Sequence, residues 1–243
     1  MQNGTLKMDQ IRISAKNLGA LALGSFCPRC FWIKMHCPEL PYQIFPGIFS
    51  SIDSYTKKVT NIHFQKTSRI PAWLEPFGDI VRPVKTPTLT TFYVVDPETN
   101  IKLTGVPDEV FQRKDGSYFI ADYKTAKYTG NQDKLLPMYD TQLNGYAFIG
   151  ERTGLKPVTG LGLVYYEPQT DLKVEGLDSI LLSDGFMMSF IGKLLPIELR
   201  PDTTIPALLK RVRQICDLEK SPQGTAGCED CEKVSKLIEY ASR

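Results

Sequence analysis

The chain has 243 residues, of which 42% are hydrophobic and 23% charged, and a formal net charge of +2. That balance fits one sizeable globular core, is short for two full domains, and gives bulk charge no role in attracting a polyanion. No apolar run approaches the roughly 20 residues of a membrane helix, and the first residues lack the apolar core of a secretory signal. A cytoplasmic location without a membrane partner is therefore the expectation.

In chain order, residues 1–10 read as a loose lead-in. Ile11 to Lys34 carries a pattern that predicts one or two helices, with Ser14 as a cap. The proline-bearing stretch Cys37 to Gly47 ends that segment. A second helix is expected over Phe49–Phe64, where Ile52, Tyr55, Val59 and Ile62 recur at helical spacing. Residues 67–90 hold Pro71, Pro76, Pro83 and Pro87 and read as an irregular wrapping loop. From Thr91 to Ala126 the chain turns rich in β-branched and aromatic residues, which predicts a meander of three strands.

A helix over 137–152 follows, with Pro137 suited to its first turn and Gly154 to its stop. Gly160–Pro168 reads as a strand, and Asp171–Gly176 as the start of another. Leu194–Arg200 reads as a further strand, Ile205–Leu218 as a helix, and the last stretch as a loop and short helix. The expected organisation is one domain: a helical segment over 11–66, a catalytic sheet and helix over 88–180, and C-terminal helices over 186–243. The basic runs at Lys57–Lys58, Lys66 with Arg69, Lys124 with Lys127, and Lys210–Arg213 read as solvated faces.

The informative segment is Gly105-Val106-Pro107-Asp108, followed by Asp122-Tyr123-Lys124. Alternate residues of a strand share a face, so Asp122 and Lys124 point the same way. Lys114-Asp115-Gly116 suits a three-residue hairpin loop with glycine at a left-handed position. That loop pairs Arg113 with Ser117 and sets Asp108 opposite Asp122, with Cβ atoms about 5 Å apart. A two-residue loop would instead send Asp108 to the other face, and an exposed hairpin with ordinary surface charges is the plain alternative. Two facing carboxylates repel unless a cation lies between them. Hard oxygen donors suit Mg²⁺ or Mn²⁺, which polarise phosphoryl oxygens and activate water, and Lys124 would support developing charge. Gln142 and Tyr146, four apart on the next predicted helix, share a face; simple packing of the Tyr146 ring is the alternative.

The ordered set G-x-P-D, D-x-K fourteen residues after the aspartate, and Q-x-x-x-Y eighteen residues after the lysine resembles the PD-(D/E)XK nuclease superfamily. More narrowly it is similar to the RecB-like branch that includes the CRISPR-associated adaptation exonucleases. The resemblance implies a mixed central sheet flanked by helices and metal-dependent cleavage of DNA, on single strands or ends. Asp108 and Asp122 would hold the metal with the Tyr123 carbonyl, Lys124 would be catalytic, and Gln142 and Tyr146 would hold DNA or brace the site. Partners would be DNA and adaptation or recombination proteins. Relatives often place a His or Glu on the helix before the sheet, whereas this helix opens Gly47-Ile48-Phe49-Ser50-Ser51; His63 and Asp53 are read as core or solvent-facing. That departure favours the alternative of a weak or inactive module that binds DNA or protein.

Six cysteines include two C-x-x-C pairs, Cys27–Cys30 and Cys228–Cys231, about 200 residues apart. Four thiolates suit a tetrahedral zinc ion or an iron–sulfur cluster and would clip the two ends of the fold together. The resemblance implies a 4Fe–4S cluster, with zinc as the alternative. Its usual pattern is one early and three late cysteines, which makes Cys30 or Cys216 the fourth ligand. Cys216 lies in the apolar pattern of Leu208, Leu209, Val212 and Ile215 and reads as core, so Cys30 is favoured; Cys37 reads as a bystander. Phe31, Trp32 and Tyr128 lie near basic residues, where aromatic rings can stack on single-stranded bases, but they read as core. No G-x-S-x-G elbow or P-loop is present, and His36 and His63 are isolated.

Overall fold

The computed structural model describes residues 9–37, 46–129 and 133–243; most of the proline-bearing stretch after Cys37 lies outside them. The chain opens with a strand, β1 (Ile11–Ser14), where helix was expected. Ser14 does cap a short helix, α1 (Ala15–Gly19), accepting a hydrogen bond from the Asn17 N–H at 3.1 Å. The β-branched Ile11 and Ile13 make β1 a parallel partner of β4 (Ile101–Thr104), which also pairs with β3 (Tyr93–Asp96). These form a small three-stranded sheet. Helix α2 (Pro28–His36) follows, and α3 (Gly47–Thr67) runs longer than its apolar pattern.

The central sheet has five strands, ordered β10-β7-β6-β5-β2. Its members are β2 (Ile80–Val84), β5 (Glu109–Arg113), β6 (Tyr118–Lys124), β7 (Val158–Pro168) and β10 (Phe190–Ile197). Pairing is antiparallel except between β6 and β7. That parallel step is bridged by α4 (Leu136–Thr153), which carries Pro137 in its first turn and stops at Gly154.

The expected three-strand meander is four strands split between two sheets, and the central sheet reaches beyond residues 88–180 at both ends. β2 lies within the stretch read as irregular; its Pro83 is tolerated because β2 is an edge strand. After Pro168, Val174–Ser179 is a 3-10 turn, where a strand was expected to begin, and it leads into a small hairpin of β8 (Leu181–Leu182) and β9 (Gly185–Phe186). Helices α5 (Pro201–Cys216) and α6 (Glu229–Ala241) close the fold.

The two faces of the central sheet bury different partners. One packs Ile120, Leu161, Leu163 and Tyr165 against α4, α1 and α5. α5 contributes Ile205, Leu209, Val212 and Ile215, and Cys216 packs at its margin. The other face packs Phe111, Phe119, Ala121, Tyr123 and Tyr166 against Leu74 and Phe77 of a 3-10 turn.

Helix α3 lies over the polar end of that second face, and its orientation reverses the sequence expectation. Its buried residues are Thr56 and Thr60, while Tyr55 and Ile62 of the apolar stripe are 60% and 59% exposed. The cause is the surface beneath it. The Tyr123 hydroxyl and the carboxylates of Glu109 and Asp108 need polar partners, and Thr60, Asn61 and Lys57 supply them.

Candidate active site and cysteine centre

The hairpin between β5 and β6 sets the geometry. Arg113 N–H donates to the Ser117 carbonyl at 2.8 Å, Gly116 N–H donates to the Arg113 carbonyl at 3.0 Å, and Gly116 takes φ +86°. This is the three-residue loop expected from Lys114-Asp115-Gly116. The register pairs Glu109 with Ala121 and Val110 with Ile120, so one further step brings Asp108 level with Asp122. Asp108 lies just ahead of β5, and its Oδ2 accepts the Tyr123 N–H at 2.7 Å. That bond ties the end of the first strand to the D-x-K segment.

Asp122 is 2% exposed and Lys124 forms an ion pair with its Oδ2. Its Oδ1 accepts from Gln142 Nε2 at 3.1 Å, and the same amide donates to the Tyr146 hydroxyl at 2.7 Å. Lys124 also donates to Gln142 Oε1 at 3.3 Å and lies 4.1 Å from the Tyr139 ring centroid. Gln142 thus holds the aspartate and the lysine together, and Tyr146 holds Gln142. Gly105 has a reason here as well: a Cβ at that position would meet the Tyr146 ring at 2.4 Å, so the G of G-x-P-D makes room for the Y of Q-x-x-x-Y.

The donor set fits a divalent cation. Asp108 and Asp122 offer hard oxygens, and the buried Asp122 Oδ2 has the Lys124 ammonium as its partner among the described residues. Burial raises the Asp122 carboxyl to about 6; the charge of Asp108 adds to this, and Lys124 opposes it. On the opposite face Glu109 is also buried, and burial raises it to about 7 against the Asn61 hydrogen bond at 3.1 Å.

Both acids hold protons in the folded chain that an unfolded chain has already released. The metal-free protein should therefore lose stability as pH rises from about 4 to about 7. A cation that needs ionised carboxylates should offset this loss. At a fixed, subsaturating Mn²⁺ concentration the rise in Tm should be larger near pH 8 than near pH 5.5, and should disappear in Asp122→Asn. A shift that shrinks as pH rises would contradict this electrostatic account.

Two residues at the site were missed by the sequence reading, Lys57 and Glu109. Lys57 Nζ lies 2.8 Å from Asp53 Oδ2 and 2.8 Å from Asp108 Oδ1. Burial works to lower its pKa, but Asp108 and Asp53 together hold it above the ordinary lysine value. In the sequence it belongs to the Lys57–Lys58 run, which reads as a solvated face. The available signal was the (i, i+4) spacing of Asp53 and Lys57, which also brings Asp53 to the site. His63 does not join them; it lies against Trp73 with ring centroids 6.4 Å apart.

The cysteine pairs meet as a second centre. Cys27 and Cys228 are the N-cap residues of α2 and α6, and Cys30 and Cys231 lie in the first turns. Ligand atoms of all four lie within 4.8 Å of one another. Sγ–Sγ separations are 3.4 Å for Cys27–Cys231, 3.4 Å for Cys30–Cys231 and 3.7 Å for Cys30–Cys228. Two helix N-termini therefore face one cluster of sulfurs, which favours thiolates. Burial alone would raise Cys27, but the Cys30 and Thr225 N–H groups and neighbouring thiols bring it down to about 6. Cys216 and Cys37 lie outside the cluster. Phe31 is core, Trp32 and Tyr128 pack against core, and the Trp32 indole donates to the Leu218 carbonyl at 3.0 Å.

With this geometry in place, comparison with known proteins is decisive at one level. The family model described as "PD-(D/E)XK nuclease superfamily" matches residues 49–234. The chain belongs to that superfamily. No curated protein matches it. A solved structure described as "Crystal structure of SSO0001" aligns at a TM-score of 0.37 and 14% identity, covering 88% of this chain and 80% of that one. In this superfamily member the matched region takes in α3, the whole central sheet, α4 and the second cysteine pair. No described helix is long and apolar enough to cross a membrane.

Proposed function

We propose that the chain is a divalent-metal-dependent deoxyribonuclease that hydrolyses phosphodiesters on single strands or ends, in CRISPR adaptation or in DNA repair and recombination. The observation that carries this reading is the convergence of Asp108, Asp122 and Lys124 at one end of the sheet, with Gln142 joining the last two. Asp108, Asp122 and the Tyr123 carbonyl would hold Mg²⁺ or Mn²⁺. Bound there, the ion would polarise the phosphoryl oxygen and ready water for attack. Lys124 places its ammonium beside the carboxylates, where charge develops on the phosphate. Gln142 keeps that ammonium from swinging away, and Tyr146 fixes Gln142.

The competing reading is a module that grips DNA or a protein without cutting. The observation in its favour is that α3, the helix from which relatives often supply a His or Glu, turns a lysine, Lys57, towards Asp108. Labelled single-stranded DNA separates the two. With Mn²⁺ the wild-type chain should cut it, with EDTA it should not, and Asp122→Asn should lose at least about 100-fold. DNA retained in a complex but left intact by the wild type in Mn²⁺ would support the gripping module instead.

For the cysteine centre we infer one zinc ion in place of the 4Fe–4S cluster that the resemblance implies. Four sulfurs about 2.3 Å from a tetrahedral ion stand about 3.8 Å apart; three of the pairs here stand at 3.4–3.7 Å and all four sulfurs lie within 4.8 Å of one another. A cube of four irons with bridging sulfides would hold the thiolates much further apart. Stoichiometric zinc in a colourless protein is the expected outcome of metal analysis.

A further inference from the structure

The arrangement around Asp108 carries an inference that rests on the metal-site reading above and deepens it. Four charged groups beyond Asp108 gather at this end of the sheet. Asp122 pairs with Lys124, Asp108 pairs with Lys57, and Asp53 pairs with Lys57 from the helix side. Glu109, the remaining acid nearby, is bonded by Asn61, one turn along α3 from Lys57. Lys57 is therefore held in place: its ammonium bridges two carboxylates at 2.8 Å each, on a helix anchored beside it by Thr60 and Asn61.

We propose that Lys57 is a built-in cation standing where a second divalent ion would otherwise bind, so that the site takes one metal ion only. Four carboxylates, Asp53, Asp108, Asp122 and, ionised near pH 8, Glu109, face two ammonium groups, Lys57 and Lys124. The balance is two negative charges. One divalent ion neutralises it, and a second would have to enter a cluster with no charge left to attract it, next to a fixed ammonium. The oxygens are allocated in the same sense. Asp108 Oδ1 is turned to Lys57 and Oδ2 to the Tyr123 N–H, and the only carboxylate that α3 contributes, Asp53, is also turned to Lys57. Lys57 is a positioning residue in this account. It sets the charge and the number of ions at the site, and it replaces the ligand that α3 lacks.

The test is a Mn²⁺ titration of the full chain near pH 8, read by loss of the free-ion electron paramagnetic resonance signal and by calorimetry. Thiolates are poor ligands for Mn²⁺, so the cysteine centre stays out of the count. Wild type and Lys57→Arg should each bind one ion. Lys57→Met, which keeps the stem and removes the charge, should bind two, and Lys57→Gln provides a second neutral variant should Lys57→Met fail to fold. A neutral variant with unchanged stoichiometry and affinity overturns the proposal, as does a wild type that binds two ions. No site-specific binding at all, with wild type and Asp122→Asn titrating alike, sinks the underlying metal-site reading, and this inference with it.

Discussion

Lys124→Ala is expected to lower Mn²⁺-dependent cleavage by about 100- to 1000-fold, the range seen when one preorganised donor to a developing charge is removed. The proposed role rests on how firmly this side chain is held. Its ammonium is fixed by the Asp122 ion pair, the Gln142 carbonyl at 3.3 Å and the Tyr139 ring, so it needs no reorganisation when charge develops. The variant has a second effect that must be separated from the first. Without Lys124, Asp122 loses the cation that opposes its raised pKa, so it should ionise at higher pH and bind metal less readily near neutrality. Assays near pH 8 with saturating Mn²⁺ remove that effect and leave the catalytic one. Lys124→Arg should recover little, because a planar fork cannot take the place of a compact ammonium beside Gln142. Cleavage by Lys124→Ala at the wild-type rate would falsify the assigned role.

The hairpin was the most legible part of the sequence. The turn chemistry of Lys114-Asp115-Gly116 fixes the register, and from it the level of Asp108 with Asp122 can be counted. Gln142 and Tyr146 were legible as a helical pair, but their shared attachment to Asp122 was not, since it depends on how α4 crosses the sheet. α3 was legible as a helix, though its buried side was not. Periodicity points to Tyr55 and Ile62, but the sheet end beneath offers a hydroxyl and carboxylates, and these select Thr60, Asn61 and Lys57. Lys57 was hidden for the same reason: a lysine on an exposed-looking turn is ordinarily solvated, and only tertiary structure places Asp108 against it. β1 was missed because it runs directly into the helix that Ser14 caps, and β2 because Pro83 lies inside it and reads as a break.

The second large effect belongs to the cysteine centre. α6 contains no buried residue, so the apolar burial that fastens α5 is lacking there. Its attachment comes mainly from Cys228 and Cys231 meeting Cys27 and Cys30 at the first turn of α2. A structural zinc site is worth about 10–16 kcal/mol of apparent binding free energy, far more than a solvent-exposed helix of this length supplies by itself. Cys228→Ser combined with Cys231→Ser should therefore release α6 while leaving the central sheet folded. Hydrogen exchange should show amides of residues 229–241 exchanging near the unprotected rate, with β6 and α4 still protected. Protection retained in α6 after the double substitution would show that packing alone holds it.

The two halves of the cysteine cage lie about 200 residues apart in the chain, so during synthesis the first pair must wait until the central sheet has been made. Capture of the ion proposed for this cage would then serve as a check on completeness. A chain interrupted before Cys228 can assemble every strand of the sheet but has no second pair to close the cage, and its early cysteines remain open to oxidation or to the wrong metal.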